Sequence, residues 1–187
     1  MKNIMVDLET LGNNSQSVIL SIGAVEFDET GLGSTFYMAI NPESCVQAGL
    51  TMDVSTVMWW MKQSDEARAA FNRSKTDLKQ ALLDFSVFIH NCAGNDAEVW
   101  GNGATFDNVI LDSAYRAVGY TKPWPYWGDR CYRTLKNLYP QVPYVKPNVA
   151  HNALEDAIAQ ARHASQILRE MKGEASSADW RGQTNMV

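Results

Sequence analysis

The run Ile4-Met5-Val6-Asp7-Leu8-Glu9 is an apolar strand that ends in two acids set two residues apart. Side chains two apart on a strand share a face, so Asp7 and Glu9 point to one side. Two carboxylates on one face repel unless a cation or a proton lies between them. Any fold built on this strand has to accommodate that pair, and a divalent metal is the economical answer. Three further residues extend the set along the chain: Asp107, His151 and Asp156.

The rest of the chain reads as an α/β layer arrangement. Asn3 to Asp7, Ser17 to Phe27 and Thr35 to Ile40 are strand-like. The turn-forming groups Gly12-Asn13-Asn14-Ser15 and Asp28-Glu29-Thr30-Gly31 separate them, which predicts an antiparallel three-strand start. Helices follow over Asp53 to Met61, Asp65 to Phe71 and Thr76 to about Asn91. In the last, Leu78, Ala81, Leu82, Phe85, Phe88 and Ile89 recur at three and four. Trp59 and Trp60 are adjacent on a helix and cannot face the same way, so one belongs to the core. Glu98-Val99-Trp100 returns as a strand. Phe106 to Val118 reads as a helix with Asp107 in its first turn, and Arg130 to Tyr139 as a shorter one that stops before Pro140. A fifth strand is placed near Tyr126 to Asp129. The final helix, Asn152 to Met171, carries Leu154, Ala157, Ile158, Ala161, Leu168 and Met171 on one stripe. Asp156 lies off that stripe and can project into a cleft at the helix's N-terminal end. His151 stands just before the helix, a position that suits a mobile functional side chain. Residues 1–172 are read as one domain and 173–187, with Trp180, as a polar tail.

At 187 residues, 45% hydrophobic and 20% charged, the composition is that of one ordinary globular domain. No apolar stretch approaches the ~20 residues of a membrane span, and the N-terminus lacks a basic region followed by an apolar core, so a cytoplasmic protein is expected. Cys45, Cys92 and Cys131 are far apart and in no Cys-x-x-Cys pair, which suggests buried thiols over a disulfide framework or a zinc site. The net charge of −5 is unevenly spread. Arg116, Lys122, Arg130, Arg133, Lys136 and Lys146 face a single acid, Asp129, so the segment from Arg116 to Pro147 carries +5 and the remainder −10. Tyr120, Trp124, Tyr126, Trp127, Tyr132, Tyr139 and Tyr144 lie in the same segment. Cations interleaved with aromatics suit phosphate contact and base stacking on a single strand, although several of these rings are expected simply to pack. Arg130 and Arg133, in the helix expected there, are the candidate phosphate contacts. The chain has no internal repeat, no Gly-rich phosphate loop and no Ser-His-Asp elbow; Asn102-Gly103-Ala104 is a turn before a helix.

Three segments carry a resemblance. Asp7-Leu8-Glu9-Thr10, Trp100-Gly101-Asn102-Gly103-Ala104-Thr105-Phe106-Asp107 and His151-Asn152-Ala153-Leu154-Glu155-Asp156 resemble, in order and spacing, the three exonuclease motifs of the DEDDh (DnaQ-like) family. A His five residues before the last Asp marks the DEDDh branch. Within it the chain is most similar to the small phage and prophage exonucleases, the group of phage T4 exonuclease A and the mycobacterial DEDDh exoribonucleases. Trp59-Trp60 with the following Gln-Ser and Glu-Ala-Arg supports that subgroup. One departure stands out: many relatives have His where this chain has Gly101.

The resemblance implies an RNase H-like fold, a mixed five-stranded central sheet with helices on both sides. It also implies a 3′-to-5′ exonuclease that removes 5′-mononucleotides from single-stranded DNA or RNA with two Mg²⁺ or Mn²⁺ ions per site. Asp7 would bridge both ions, Glu9 and Asp156 would complete one site, and Asp107 would hold the second. Oxygen-only ligation suits these ions over zinc, and a metal pair neutralises the phosphodiester, generates the nucleophile and stabilises the departing oxygen. His151 would be the general base, suited by an ordinary imidazole pKa of about 6.5; His90 and His163 are read as surface or core. Thr10 and Leu11 would pack on the terminal bases, and Phe106 would stack on substrate or, the favoured reading, anchor its helix. Small relatives are often dimers, so a homodimer is an expectation. Two other classes compete. A non-catalytic RNase H-like module that binds nucleic acid or a polymerase would have lost a ligand, and none of the five residues is lost. A small-ester phosphatase would favour an enclosed pocket over a long basic and aromatic segment.

Overall fold

The N-terminal apolar run becomes the middle strand of a five-stranded mixed sheet in the computed structural model, which describes residues 2–68, 71, 76–103, 105–147 and 151–173. Strand β1 (Asn3–Thr10) pairs antiparallel with β2 (Ile19–Asp28) and parallel with β4 (Glu98–Gly101). The edges are β3 (Gly31–Ala39) and β5 (Asp129–Cys131), in the order β3-β2-β1-β4-β5. Strands β1 and β2 are covered on both faces, which is why they read as near-continuous apolar runs.

The helices are α1 (Pro42–Gln47), α2 (Val54–Trp60), α3 (Asp65–Arg68), α4 (Leu78–Ala93), α5 (Asp107–Ala117), α6 (Tyr132–Leu138) and α7 (Ala153–Met171). Alternation along β1 divides them into two layers. Ile4, Val6 and Leu8 pack with Leu82, Phe85 and Ile89 of α4 and with Ile110 and Leu111 of α5. Met5 packs on the other face with Phe27, Trp100, Tyr132 and the Ala157, Ala161, Ala164 and Ile167 stripe of α7. Asp7 and Glu9, in step with Met5, therefore lie on the α7 side. Helix α7 approaches closely because its contact residues are small and because Gly23 on β2 has no side chain; a methyl there would collide with the backbone of Ala153 and Leu154. Asn152 starts the helix, its side chain accepting from the N–H groups of Leu154 and Glu155 at 3.1 and 3.4 Å. Such a cap contributes ~1 kcal/mol.

Several boundaries differ from the sequence reading. Helix α6 begins at Tyr132, because residues 129–131 are drawn into the sheet beside Val99–Gly101; Arg130 is on a strand and only Arg133 is on the helix. The fifth strand is thus Asp129–Cys131, while Tyr126–Gly128 forms a 3-10 turn. Asp129 anchors that edge, accepting from Asn108 Nδ2 at 2.9 Å, Trp124 Nε1 at 2.7 Å and Lys122 Nζ at 2.7 Å. Strand β2 starts at Ile19 because Ser17 bridges to Thr51, and α4 starts at Leu78 because Asp77 caps it through the Lys79 N–H. The short α1 is an addition, signalled by Asn41 as cap and Pro42 in the first turn. The helix expected over Asp65 to Phe71 is described as far as Arg68, residues 69 and 70 lying outside the described residues. So does the expected tail beyond Gly173, with Trp180. Among the described residues no helix is long and apolar enough to cross a membrane.

Candidate active site

Strand β4 pairs with β1 along Asn3–Met5 and ends at Gly101 while β1 runs on to Thr10, so the later residues of β1 border a crevice past the carboxyl end of β4. Open α/β sheets bind ligands in such places. Asp7 and Glu9 enter the crevice from β1, and Asp156 enters from the first turn of α7. One carboxylate oxygen from each lies within 4.8 Å of the other two. Asp107 stands outside that trio at the start of α5. It is 2% exposed and accepts from the Asn102 N–H at 2.9 Å. Its charge still acts on both Asp7 and Glu9.

Burial and mutual repulsion drive these acids toward protonation. Burial first, then Asp107, Glu9 and Asp156, hold Asp7 well above the ordinary carboxylate range, against a hydrogen bond from Gln160. Glu9 is pushed up to about 8 by burial and by Asp156 and Asp107. Asp107 is raised to about 6 by burial, against backbone N–H donors and the Arg133 cation. Asp156 is raised by burial too. Four anions therefore coexist here only with compensating positive charge. The metal-free fold holds protons that the unfolded chain has already released, from the ordinary carboxylate pKa up to about 8 at Glu9. Its stability should be full below that window and fall as pH rises through it. We expect the Tm in chelator to drop from about pH 5 to about pH 8, and added Mn²⁺ to raise it most at the alkaline end, since metal displaces those protons. A chelated Tm that climbs across that range would contradict the charge arrangement.

His151 precedes the Asn152 cap with a left-handed backbone, φ 62°. A mobile side chain is expected there, but the imidazole packs edge-on against Trp59 at 4.9 Å and Trp60 at 6.0 Å between centroids. Its charge and its backbone N–H both act on Asp156.

The whole arrangement has relatives. The family model of the 3′-5′ exoribonuclease Rv2179c-like domain matches residues 2–168. The chain belongs to that family. This Rv2179c-like domain is also 25% identical to the exodeoxyribonuclease of Enterobacteria phage T4 over 130 residues, 63% of this chain but only 57% of the relative's length. Among solved structures it is similar to the nuclease domain of 3′hExo, a DEDDh family member bound to rAMP (TM-score 0.58, 14% identity, 90% of this chain and 92% of that one). It is likewise similar to exonuclease X in complex with 5′ overhanging duplex DNA (TM-score 0.54, 18% identity, 91% and 93%) and to S. pombe Pop2p in its Mg²⁺- and Mn²⁺-bound form (TM-score 0.50, 14% identity, 96% and 87%). The fold is RNase H-like.

The Rv2179c-like domain spreads the other candidate residues more widely. Thr10 is buried, its hydroxyl donating to the Gly12 carbonyl at 2.6 Å. Leu11 is 6% exposed and forms one wall of an apolar groove of about 660 Å³, with Met52, Val57, Trp60, Met61 and Phe71. Phe106 is half-buried against the core beside α5. Arg133 is exposed at the crevice edge, donating to the Asn102 carbonyl at 2.6 Å. Arg130 is committed elsewhere, paired with Glu98 at 2.8 Å and donating to the Trp127 carbonyl at 2.6 Å. Of the aromatic segment, Trp124 and Tyr132 are core, whereas Tyr126 and Trp127 are exposed. His163 is a core residue: its Nε2 donates to the Val142 carbonyl at 2.9 Å, and the Tyr132 hydroxyl lies 2.7 Å from its Nδ1.

In this Rv2179c-like domain Gly101 is also explained, since a side chain there would run into Asn108 and the Asp107 carboxylate. One residue beside the acids, Gln160, was not anticipated, and another, Tyr144, was read only as one ring of the aromatic segment. Gln160, 3% exposed on α7, donates from Nε2 to Asp7 Oδ1 at 2.8 Å. Its place four residues after Asp156, on the same helix face, was the available signal. Tyr144, whose ring meets His163 at 5.5 Å, has its phenol raised by burial and by the charges of Asp156 and Asp7.

Proposed function

We propose that this Rv2179c-like domain is a metal-dependent 3′-to-5′ exonuclease that removes 5′-mononucleotides from single-stranded nucleic acid. The trio Asp7, Glu9 and Asp156, with Asp107 beside it in the same crevice, carries the reading. These donors offer only oxygen, and their burial makes them poor anions without a cation, which fits Mg²⁺ or Mn²⁺. Asp7, Glu9 and Asp156 would hold one ion, and Asp7 with Asp107 the other. Bound there, such ions supply Lewis-acid stabilisation of the departing oxygen and a nucleophile at neutral pH. The Mg²⁺ and Mn²⁺ bound to Pop2p support that assignment, and the rAMP and DNA bound to other neighbours support nucleic acid as the substrate class.

The chain's own residues divide the remaining work. His151 accepts the proton of the attacking water on an imidazole nitrogen. Gln160 holds one oxygen of Asp7 and leaves the other to the crevice. The Leu11 wall gives terminal bases an apolar surface, and Arg133 offers a cation to phosphate near Asp107. Phe106 anchors α5, and Arg130 ties β5 to β4 through Glu98. The test is a side-by-side digestion of 5′-labelled single-stranded RNA and DNA with Mg²⁺ and with Mn²⁺. A ladder that descends from full length is expected. Immediate release of a labelled mononucleotide would reverse the polarity, and phosphate release from small esters without shortening of the strand would replace an exonuclease with a phosphatase.

A further inference from the structure

Trp59 and Trp60 divide between surface and core, and His151 touches both. Trp60 is 3% exposed, and its Nε1 donates to the Thr10 carbonyl at 2.9 Å, one residue beyond Glu9. The ring is thereby tied to the acidic end of β1. Trp59, 41% exposed, meets Trp60 edge-on at 5.2 Å and 78°. The His151 imidazole stands at 90° to Trp59 with centroids 4.9 Å apart, and at 75° to Trp60 at 6.0 Å. Its left-handed φ of 62° turns the residue out of the line of α7, and the Asn152 side chain is occupied in capping that helix. Among the described residues, rings and not hydrogen bonds orient the imidazole.

We propose that Trp59 is a positioning residue: its indole, referenced to β1 through Trp60, aims the His151 imidazole at the carboxylate crevice. The proposal rests on His151 as proton acceptor. Edge-to-face contacts are directional, so the pair restricts the imidazole to one orientation. A general base must reach its proton within hydrogen-bond distance, and a displacement on the order of 1 Å costs as much as ~100-fold in rate. Because Trp59 is largely at the surface, its replacement leaves the core anchor Trp60 in place.

Single-turnover release of the terminal nucleotide should be compared for wild type, Trp59→Ala, Trp59→Phe, His151→Ala and the Trp59→Ala/His151→Ala double variant. Trp59→Ala should slow the step ~10–100-fold at saturating substrate with little change in KM, and Trp59→Phe should restore most of that loss. In the His151→Ala background, removal of Trp59 should cost nothing further. ¹³C-labelled histidine gives a readout without turnover. The signal lost in His151→Ala should move in Trp59→Ala, while those of His90 and His163 stay. An equal loss with and without His151 would overturn the proposal, as would a rise in KM with an unchanged rate, which would make Trp59 a substrate platform. A wild-type rate in His151→Ala alone would defeat the general-base reading, and the positioning role with it, even if the ring contact persists.

Discussion

Asp7→Asn is expected to abolish measurable release of mononucleotides, a loss of ~10³-fold or more that high Mn²⁺ or Mg²⁺ does not recover, and chelation of the wild type is expected to do the same. Asp7 sits at the centre of the carboxylate group, repelled by Asp107, Glu9 and Asp156 together. In the proposed function it is the acid that would share its charge between two cations. A metal contribution of several kcal/mol, at about 1.36 kcal/mol per decade of rate, gives that scale. The same substitution should not harm the fold. An Asn oxygen can still accept from Gln160 Nε2, and removal of one buried acid relieves repulsion, so the metal-free Tm should rise as activity vanishes. Activity retained in EDTA, or an Asn variant within about tenfold of the wild-type rate, would remove the metal-dependent mechanism.

His151→Ala should lower the rate of the chemical step by ~10²–10⁴-fold while metal binding and folding survive. Asp7, Glu9, Asp107 and Asp156 are held by β1, α5 and α7, none of which depends on the imidazole. The left-handed backbone at this position strains Ala, so His151→Asn serves as the companion variant, since Asn tolerates that region and also lacks a comparable base. Both variants should bind Mn²⁺ with wild-type stoichiometry in calorimetry. A histidine that merely packed between two indoles would behave otherwise. Its loss would lower the Tm and leave the rate per folded molecule nearly intact.

The acids were legible in the chain because each sits at a local landmark: the end of an apolar strand, the first turn of a helix, the start of the closing helix. Strands β1 and β2 were legible for a related reason, since burial on both faces writes itself as continuous apolar sequence. Strand β5 was not. It is three residues long, at an edge, and held by the side chain of Asp129 as well as by its own pairing. The same shortfall misplaced Arg130 on a helix, where its engagement with Glu98 across two parallel strands could not be seen.

Sequence alone determined the RNase H-like order of elements and the shared face of Asp7 and Glu9, and it singled out the acids proposed as metal donors, because these follow from local periodicity and from motifs whose parts are close in the chain. Tertiary structure decided the rest. Gly23 admits the α7 backbone, which brings Gln160 to Asp7 across 153 residues of chain, and Trp60 reaches Thr10 across 50, which places the rings that hold His151. Those contacts join residues remote in sequence, and they form only when separate layers close on one sheet. No local pattern encodes that approach, because its distance is set by the summed packing of both faces.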